Sequence, residues 1–461
     1  MIKQQSTNKT TLRLIARIVL SAALLNINVY ANADAVSVRG THNRDAGNAI
    51  RLQERKGIWW FISAENQPFI STGINHVEPQ LILGPHNIRH SYQKYGMDLT
   101  HWNRVFNPEG AAAHRWITEV KANFDRWGIN TFAYHTSAPL SMVKDSHYFV
   151  ARIRSASIES YTPVKHYVDV FTDEFVQQVD AGAKRITELF GSEPNLLGYA
   201  YTDIPPWFIR RDNTNPWVTA LREQEANTPG KWEWIKVLQK HYASPAEVDK
   251  VYPLAAFTWD ALAEHKHWKP LDLERGRHDI EALVLRIVER WYKVHHDAIR
   301  RYDAHHLILG DKVTRGVLDE AWPIIAQYVD LINIQWYATF AEQKKLLAHI
   351  YELTGKPILM GDSSFSIVKP YQDNAKGVKV ASQDAVGDAY YKYMRNIMRI
   401  PYIVGWHFCG YMEGQRGMQS PDTHEDKQNG FLDPFGKPFE YTLKRVTEAN
   451  MTANKWHAAA R

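Results

Sequence analysis

Along most of this chain short apolar runs alternate with longer amphipathic segments, and no other feature restricts the possible folds as strongly. The runs at residues 71–75, 129–134, 164–168, 196–202, 306–309, 331–336, 357–360 and 403–408 have strand length. Between them lie helical patterns. The clearest sets Ile280, Leu283, Val284, Ile287, Val288, Trp291, Val294 and Ile299 on one face. Eight strands, each followed by a helix, predict an α/β fold, a closed (β/α)8 TIM barrel; a doubly wound open sheet is the structural alternative. Ahead of the first strand, apolar runs at 57–62 and 66–70 flank a polar turn and predict a hairpin. Residues 205 to about 277 form a long insertion after strand 4. It leaves the strand end at which barrels carry their sites, so it reads as a lid or cleft wall.

The first 33 residues follow another logic. Lys3, Lys9, Arg13 and Arg17 come without an acid, residues 18–29 are largely apolar, and Ala31-Asn32-Ala33 follows. That order predicts a cleaved signal peptide at 1–33 and a secreted or periplasmic protein starting at Asp34. Asn26 and Asn28 interrupt the apolar run, which is too short for a membrane anchor. Residues 34–56 read as a loosely held polar arm and 57–461 as one domain, since no repeat, low-complexity tract or linker divides them. Of the formal net charge of +5, four positive charges belong to the leader. The nearly neutral remainder gives no reason to expect a nucleic-acid or membrane partner. Cys409 is the single cysteine, which excludes an internal disulfide. The 16 Trp and 23 Tyr exceed what core filling usually needs, and sugar-binding clefts use such rings as stacking platforms.

In a barrel of this kind the C-terminal strand ends share one cleft. Here they carry Asn75-His76-Val77-Glu78, Tyr134-His135, Thr202-Asp203, Asp311-Lys312, Gln335-Trp336-Tyr337, Asp362 and Trp406-His407. Cleaving a glycosidic bond takes one carboxyl to protonate the leaving oxygen and another as nucleophile or base. Asp203 and Asp362 are the candidates for that catalytic pair, giving a single catalytic domain. Asn75, His76, Glu78, His135, Trp207, Asp311, Gln335, Tyr337, Trp406 and His407 are the candidates for substrate binding. The plainer alternative for an Asp after a strand is a helix N-cap or a turn, and Asp311 can instead pair with Lys312. The histidines, His166 among them, lack ligand spacing, so neither a metal nor another cofactor is expected.

Residues 57–78, Trp127-Gly128-Ile129-Asn130-Thr131, Leu197-Gly198-Tyr199, residues 305–311 and Asn429-Gly430-Phe431-Leu432-Asp433 resemble the blocks of agarase-like glycoside hydrolases. The resemblance spans most of the chain after the leader. It implies a retaining barrel hydrolase whose acid/base Glu ends strand four and whose nucleophile Glu ends strand seven. It also implies a tyrosine near the nucleophile, matched by Tyr337, and a platform under the sugar, matched by Trp406. Where the family reads Asn-Glu and then Leu-Pro-Trp, this chain reads Asp203-Ile204-Pro205-Pro206-Trp207, and Asp362 stands at the nucleophile position. Shorter acids can stand farther apart and admit a water, which would permit inversion. The insertion is expected to desolvate Asp203 and raise its pKa, making it the acid, while Asp362 stays ionised; Glu78 and Asp311 are next in line as acid.

The expected function is hydrolysis of a polysaccharide or oligosaccharide, with galactan or agar-type chains as candidates. Two other readings stay open. Gly361-Asp362-Ser363 also resembles the nucleophile block of GDS-type esterases, and a barrel lacking both glutamates can serve as a glycan-binding protein without turnover.

Overall fold

The computed structural model describes residues 48–96, 110–156, 158–160, 167–372, 375–415 and 429–461. The expected leader, residues 34–47 of the expected arm, and residues 164–166 of the expected third strand lie outside these. Three antiparallel strands come first: β1 (Arg51–Arg55), β2 (Ile58–Ile62) and β3 (Pro68–Phe69). β2 and β3 make the expected hairpin, with Phe61 opposite Phe69. β1 corrects the expectation of a loose arm as far as residue 56. Its polar residues pair with β2 over their whole length, from Arg51 opposite Ile62 to Arg55 opposite Ile58. An edge strand needs only backbone pairing, and polar side chains on it can stay in water.

Eight parallel strands then close a barrel: β4 (Ser71–Asn75), β5 (Thr131–Phe132), β6 (Tyr148–Arg152), β7 (Leu196–Asp203), β8 (Ile308–Val313), β9 (Ile332–Gln335), β10 (Ile358–Ser363) and β13 (Ile403–Cys409). Between the last two lies a two-stranded annex of β11 (Phe365–Ser366) and β12 (Val378–Lys379). β13 pairs with both β10 and β4 and so completes the ring. Seven expected strands coincide or overlap with these. The third does not: it is β6, and Tyr167 and Val168 are coil. Only a 3-10 turn, Leu140–Met142, separates β5 from β6, so a pattern that demands a helix between strands passes over Tyr148–Arg152.

The barrel interior is apolar toward its N-terminal end, where Val150, Leu197, Leu309, Leu331, Leu359 and Val404 meet Phe61 and Phe69 of the hairpin. Outside, Ile74, Phe132, Ile308, Ile334 and Met360 pack in the layer shared with the helices. The helix Leu273–Tyr302 buries the face foreseen from its spacing, from Ile280 to Ile299.

The insertion is folded rather than an open lid. Helices Pro216–Arg222, Pro229–His241, Pro245–Asp249 and Trp259–Glu264 occupy it, and three begin with a proline, whose fixed φ and missing N–H suit a first helical turn. Trp217, Trp234, Tyr252 and Trp268 are its buried aromatic centre. Asp279 on the long helix accepts hydrogen bonds from Tyr242 (2.8 Å) and Tyr252 (2.9 Å), and Arg286 on the same helix pairs with Glu233. These contacts make the insertion a buttress along the barrel's flank.

Candidate active site

Gly310 explains how the centre of the site is built. Ile308 faces the helices and Leu309 the barrel interior. Gly310 then adopts φ 65°, a left-handed conformation typical of a bulge, and the β7–β8 register shifts nearby. Beyond it Asp311 faces outward and Lys312 inward. Lys312 Nζ donates to Asp362 Oδ2 at 2.8 Å and lies 3.5 Å from Asp203 Oδ2. The ammonium also sits 4.4 Å from the centre of the Tyr134 ring. All three charged side chains are at least 97 % buried.

The chain of contacts extends to both sides. Tyr337 donates to Asp362 Oδ1 (2.8 Å), and His135 Nε2 lies 2.8 Å from Asp203 Oδ2. The rings of His135 and His76 are stacked, and His76 Nδ1 is 2.7 Å from Glu78 Oε1. Asn75 Nδ2 donates to the Gly361 carbonyl (2.8 Å), tying β4 to the peptide before Asp362. Gly361 is required there, because a Cβ would come within 1.9 Å of Asn333 Oδ1. Gln335 pairs in register with Asp362 on the neighbouring strand. His76, His135 and Ile204, each at or just past a strand end, have φ of 56°, 61° and 44°. Left-handed backbone at three non-glycine residues, one of them β-branched, is the kind of local strain that gathers at functional sites.

The electrostatics correct one expectation. Burial alone would raise the pKa of Asp203, but Lys312 and the His135 hydrogen bond outweigh it and hold the carboxyl below its ordinary range. Asp362 follows the same pattern, with burial opposed by Lys312 and His76. Lys312 in turn is raised despite its burial, because Asp203 and Asp362 favour its charged form. Asp203 is therefore ionised in the resting site, not poised as an acid. His76 is held well below its ordinary value by burial and by His135.

Neither aspartate caps a helix: the helices that follow start at Asn215 and Ser382. The structure thus gathers Asn75, His76, Glu78, His135, Asp203, Gln335, Tyr337 and Asp362 around the barrel mouth. Four other candidates are placed elsewhere. Asp311 lies under the long helix, accepting from Trp291 Nε1 (3.1 Å) and the Thr202 amide (3.0 Å), and burial pushes its pKa up to about 7. It does not pair with Lys312. Trp207 is stacked on Trp217 inside the insertion, 5.3 Å between centroids, and is 1 % exposed. Trp406, also 1 % exposed, packs on Tyr390 and Tyr393 of the outer helix Gln383–Ile397 and donates to Ser363 Oγ (2.8 Å). It is no sugar platform, and Ser363, pinned there, is no exposed esterase nucleophile. His407 is bonded to Ser71 Oγ (2.8 Å) inside the barrel, its ring filling the space left by Gly73. Burial and Lys312 lower its pKa to about 3.

Lys312 and Cys409 are the residues that sequence reasoning missed. A glycine inside a strand run was the available signal for Lys312, since it marks a bulge that changes which side chain faces inward. Cys409 ends β13 and is buried beside Asp362.

No family model matches the chain. Over 335 residues it is 22% identical to beta-agarase B of Vibrio sp. (strain JT0107), an alignment covering 70% of this chain and 35% of that protein. The chain thus spans about a third of the length of that relative. Among solved structures, an exo-beta-agarase superposes with a TM-score of 0.74 at 17% identity, covering 90% of this chain and 66% of the other. The agarase AgWH50C gives 0.72 at 15% identity with the same coverage, and BpGH50 gives 0.65 at 16% over 89% of this chain and 83% of its own. The structural likenesses cover about nine-tenths of this chain. The chain is agarase-like, through a distant sequence similarity and a shared (β/α)8 fold.

Proposed function

We propose that this protein is a glycoside hydrolase acting on a polysaccharide, with agar-type galactans as the first substrates to try and Asp362 as the reacting carboxylate. The observation that carries this reading is the fixing of Asp362 at the end of the seventh barrel strand, its two oxygens held by Lys312 and Tyr337. Those contacts keep it ionised and aimed, as a nucleophile or base must be. Asp203 stands across the same lysine. The two lysine contacts, 2.8 and 3.5 Å, hold both carboxylates at one centre, where a single glycosidic bond could meet them. A retaining route, which the family resemblance implies, uses Asp362 as the nucleophile.

Retention also asks for a proton on the leaving oxygen in the first step. Asp203 can take that role only once substrate has displaced Lys312 from it. In the second step its ionised form already suits it to activate water. Asn75 Oδ1 and Gln335 Oε1 are buried without a hydrogen-bond partner among the described residues, and they are acceptors of the kind that sugar hydroxyls satisfy.

Incubation with agarose and other galactans, followed by product sizing, tests the reading. Shortened chains are expected from the wild type, and Asp362→Asn should lower turnover by at least about 100-fold while binding survives. The lysine shared by both carboxylates also favours a second reading, a barrel that holds glycans without cutting them; every polysaccharide returned at full length would favour that one. We further propose that the protein is exported. A secreted form beginning at Asp34 is expected by mass spectrometry, and an exported chain retaining Met1 would refute it.

A further inference from the structure

Three metal-binding side chains from three strand ends converge beside the proposed nucleophile, and the hydrolysis proposed above does not require all of them. His76 follows β4, Asp362 lies in β10 and Cys409 ends β13, yet their donor atoms fall within 4.8 Å of one another, and all three residues are buried. His76 is oriented as a ligand would be. Its Nδ1 faces Glu78 Oε1 at 2.7 Å, so with the proton there Nε2 is left as the acceptor. A carboxylate gripping the far nitrogen is how metal-ligating histidines are held and their tautomer fixed.

Asp362 has capacity to spare. A carboxylate offers about four lone-pair positions, and Lys312 and Tyr337 engage one on each oxygen. The charge balance around the cluster admits a cation, since three carboxylates, Glu78, Asp203 and Asp362, stand against two ammonium groups whose charge acts there, Lys312 and Lys376. The thiol of Cys409 stays protonated when alone, because burial and the charge of Asp362 both push its pKa up. A soft cation exchanges for that proton: one S–H bond breaks, one S–metal bond forms, and one proton leaves to solvent.

We propose that His76, Asp362 and Cys409 form a binding site for a thiophilic divalent cation of the zinc class, whose occupation ties up Asp362 and arrests turnover. A tetrahedral ion with bonds of about 2.0–2.3 Å needs neighbouring donors roughly 3.3–3.8 Å apart, so the three side chains draw in by about 1 Å on binding. The arrest rests on the hydrolase reading; the site does not.

The test uses the chelator-treated full-length protein, titrated with Co²⁺ and then with Cd²⁺. One equivalent should bind, with a sulfur-to-metal charge-transfer band in the near ultraviolet, tetrahedral d–d bands for cobalt, and about one proton released per ion. Cys409→Ser should abolish the charge-transfer band and weaken binding by at least about tenfold, the lower end of the loss when even an outer partner of a metal is removed. His76→Gln should weaken binding similarly and serves if the serine variant fails to fold. Absence of the band in the wild type, or undiminished affinity in a folded variant, overturns the site. These readouts need no substrate, so they stand apart from the hydrolase reading. Where turnover is measurable, Zn²⁺ should inhibit the wild type and leave Cys409→Ser at that variant's own zinc-free rate; zinc that binds without inhibiting overturns the arrest.

Discussion

The imidazole of His76 lies flat against that of His135, with ring centroids 4.5 Å apart and planes 4° from parallel. Each ring is tied to a carboxylate, His76 to Glu78 and His135 to Asp203. Two positively charged rings at that separation would repel in a site with little water to screen them, so His135 adds to burial in disfavouring the charged form of His76. As pH falls through the ordinary histidine value of 6.5, the His76 resonance in an NMR titration should not move. Removing the second ring, in His135→Ala, should raise the titration point of His76. A His76 that titrates near 6.5 in the wild type would contradict the stack's role.

Lys312 gives a stability test. Removing one partner of a buried ion pair leaves uncompensated charge and typically costs about 3–5 kcal/mol. Lys312→Met should show a loss of that order in denaturant unfolding. Asp203→Asn in the same background should recover part of it, because the two residues share one network. The pH dependence should change sign as well. In the wild type the lowered carboxyl pKa values contribute stability that is present above the unfolded value near 3.9 and lost as pH falls through the folded values. Without the lysine, burial dominates and raises both folded values, so stability should fall as pH rises above about 4.

Asp311 already behaves in that second way. Its folded pKa of about 7 lies above the unfolded value near 3.9. The folded protein therefore holds a proton that the unfolded chain has released, and this contribution to stability declines between about pH 4 and pH 7. Asp311→Asn keeps one acceptor oxygen, enough for either the Thr202 amide or Trp291 Nε1, and removes the titration. Its unfolding free energy should vary less with pH across that window than the wild type's. Equal slopes would mean that the carboxyl is ionised in the folded state.

Trp207 and Trp406 separate packing from recognition. Both are core residues here, so truncation to Ala should cost about 3–5 kcal/mol of stability. At temperatures where the variants remain folded, KM should change little. A large rise in KM with unchanged melting would instead mark them as sugar platforms.

Seven of the eight barrel strands and the buried face of the long helix were readable from periodicity, because burial on one side imposes a regular spacing; β6 was not, since no helix sets it off from β5. Asp203 and Asp362 could be placed at strand ends for the same reason. Side-chain direction was harder. Gly310 reverses the parity of β8, so Asp311 looked like a cleft residue and Lys312 like its surface partner. Trp406 and His407 are neighbours in one strand and cannot both face the cleft, yet their chemistry suited either place. Trp207 was drawn inside by Trp217, a contact that no local pattern announces. The ionisation of Asp203 depended on Lys312, which is 109 residues away and meets it only when the ring of strands has closed.

The hairpin at the N-terminal end of the barrel bears on how the chain reaches this state. Phe61 and Phe69 cap interior residues that include Val404, and the Trp59 amide donates to the Pro401 carbonyl at 2.8 Å. The His457 ring lies within hydrogen-bond distance of the Trp59 and Met398 carbonyls, at 2.7 and 2.9 Å. The clasp of the ring is thus made from segments nearly four hundred residues apart in the chain. Such contacts have high contact order: the entropy of bringing distant segments together is spent before the contacts return it. A nascent chain that has not yet made its final helix cannot fasten this clasp, so the barrel commits to its structure late and as a whole.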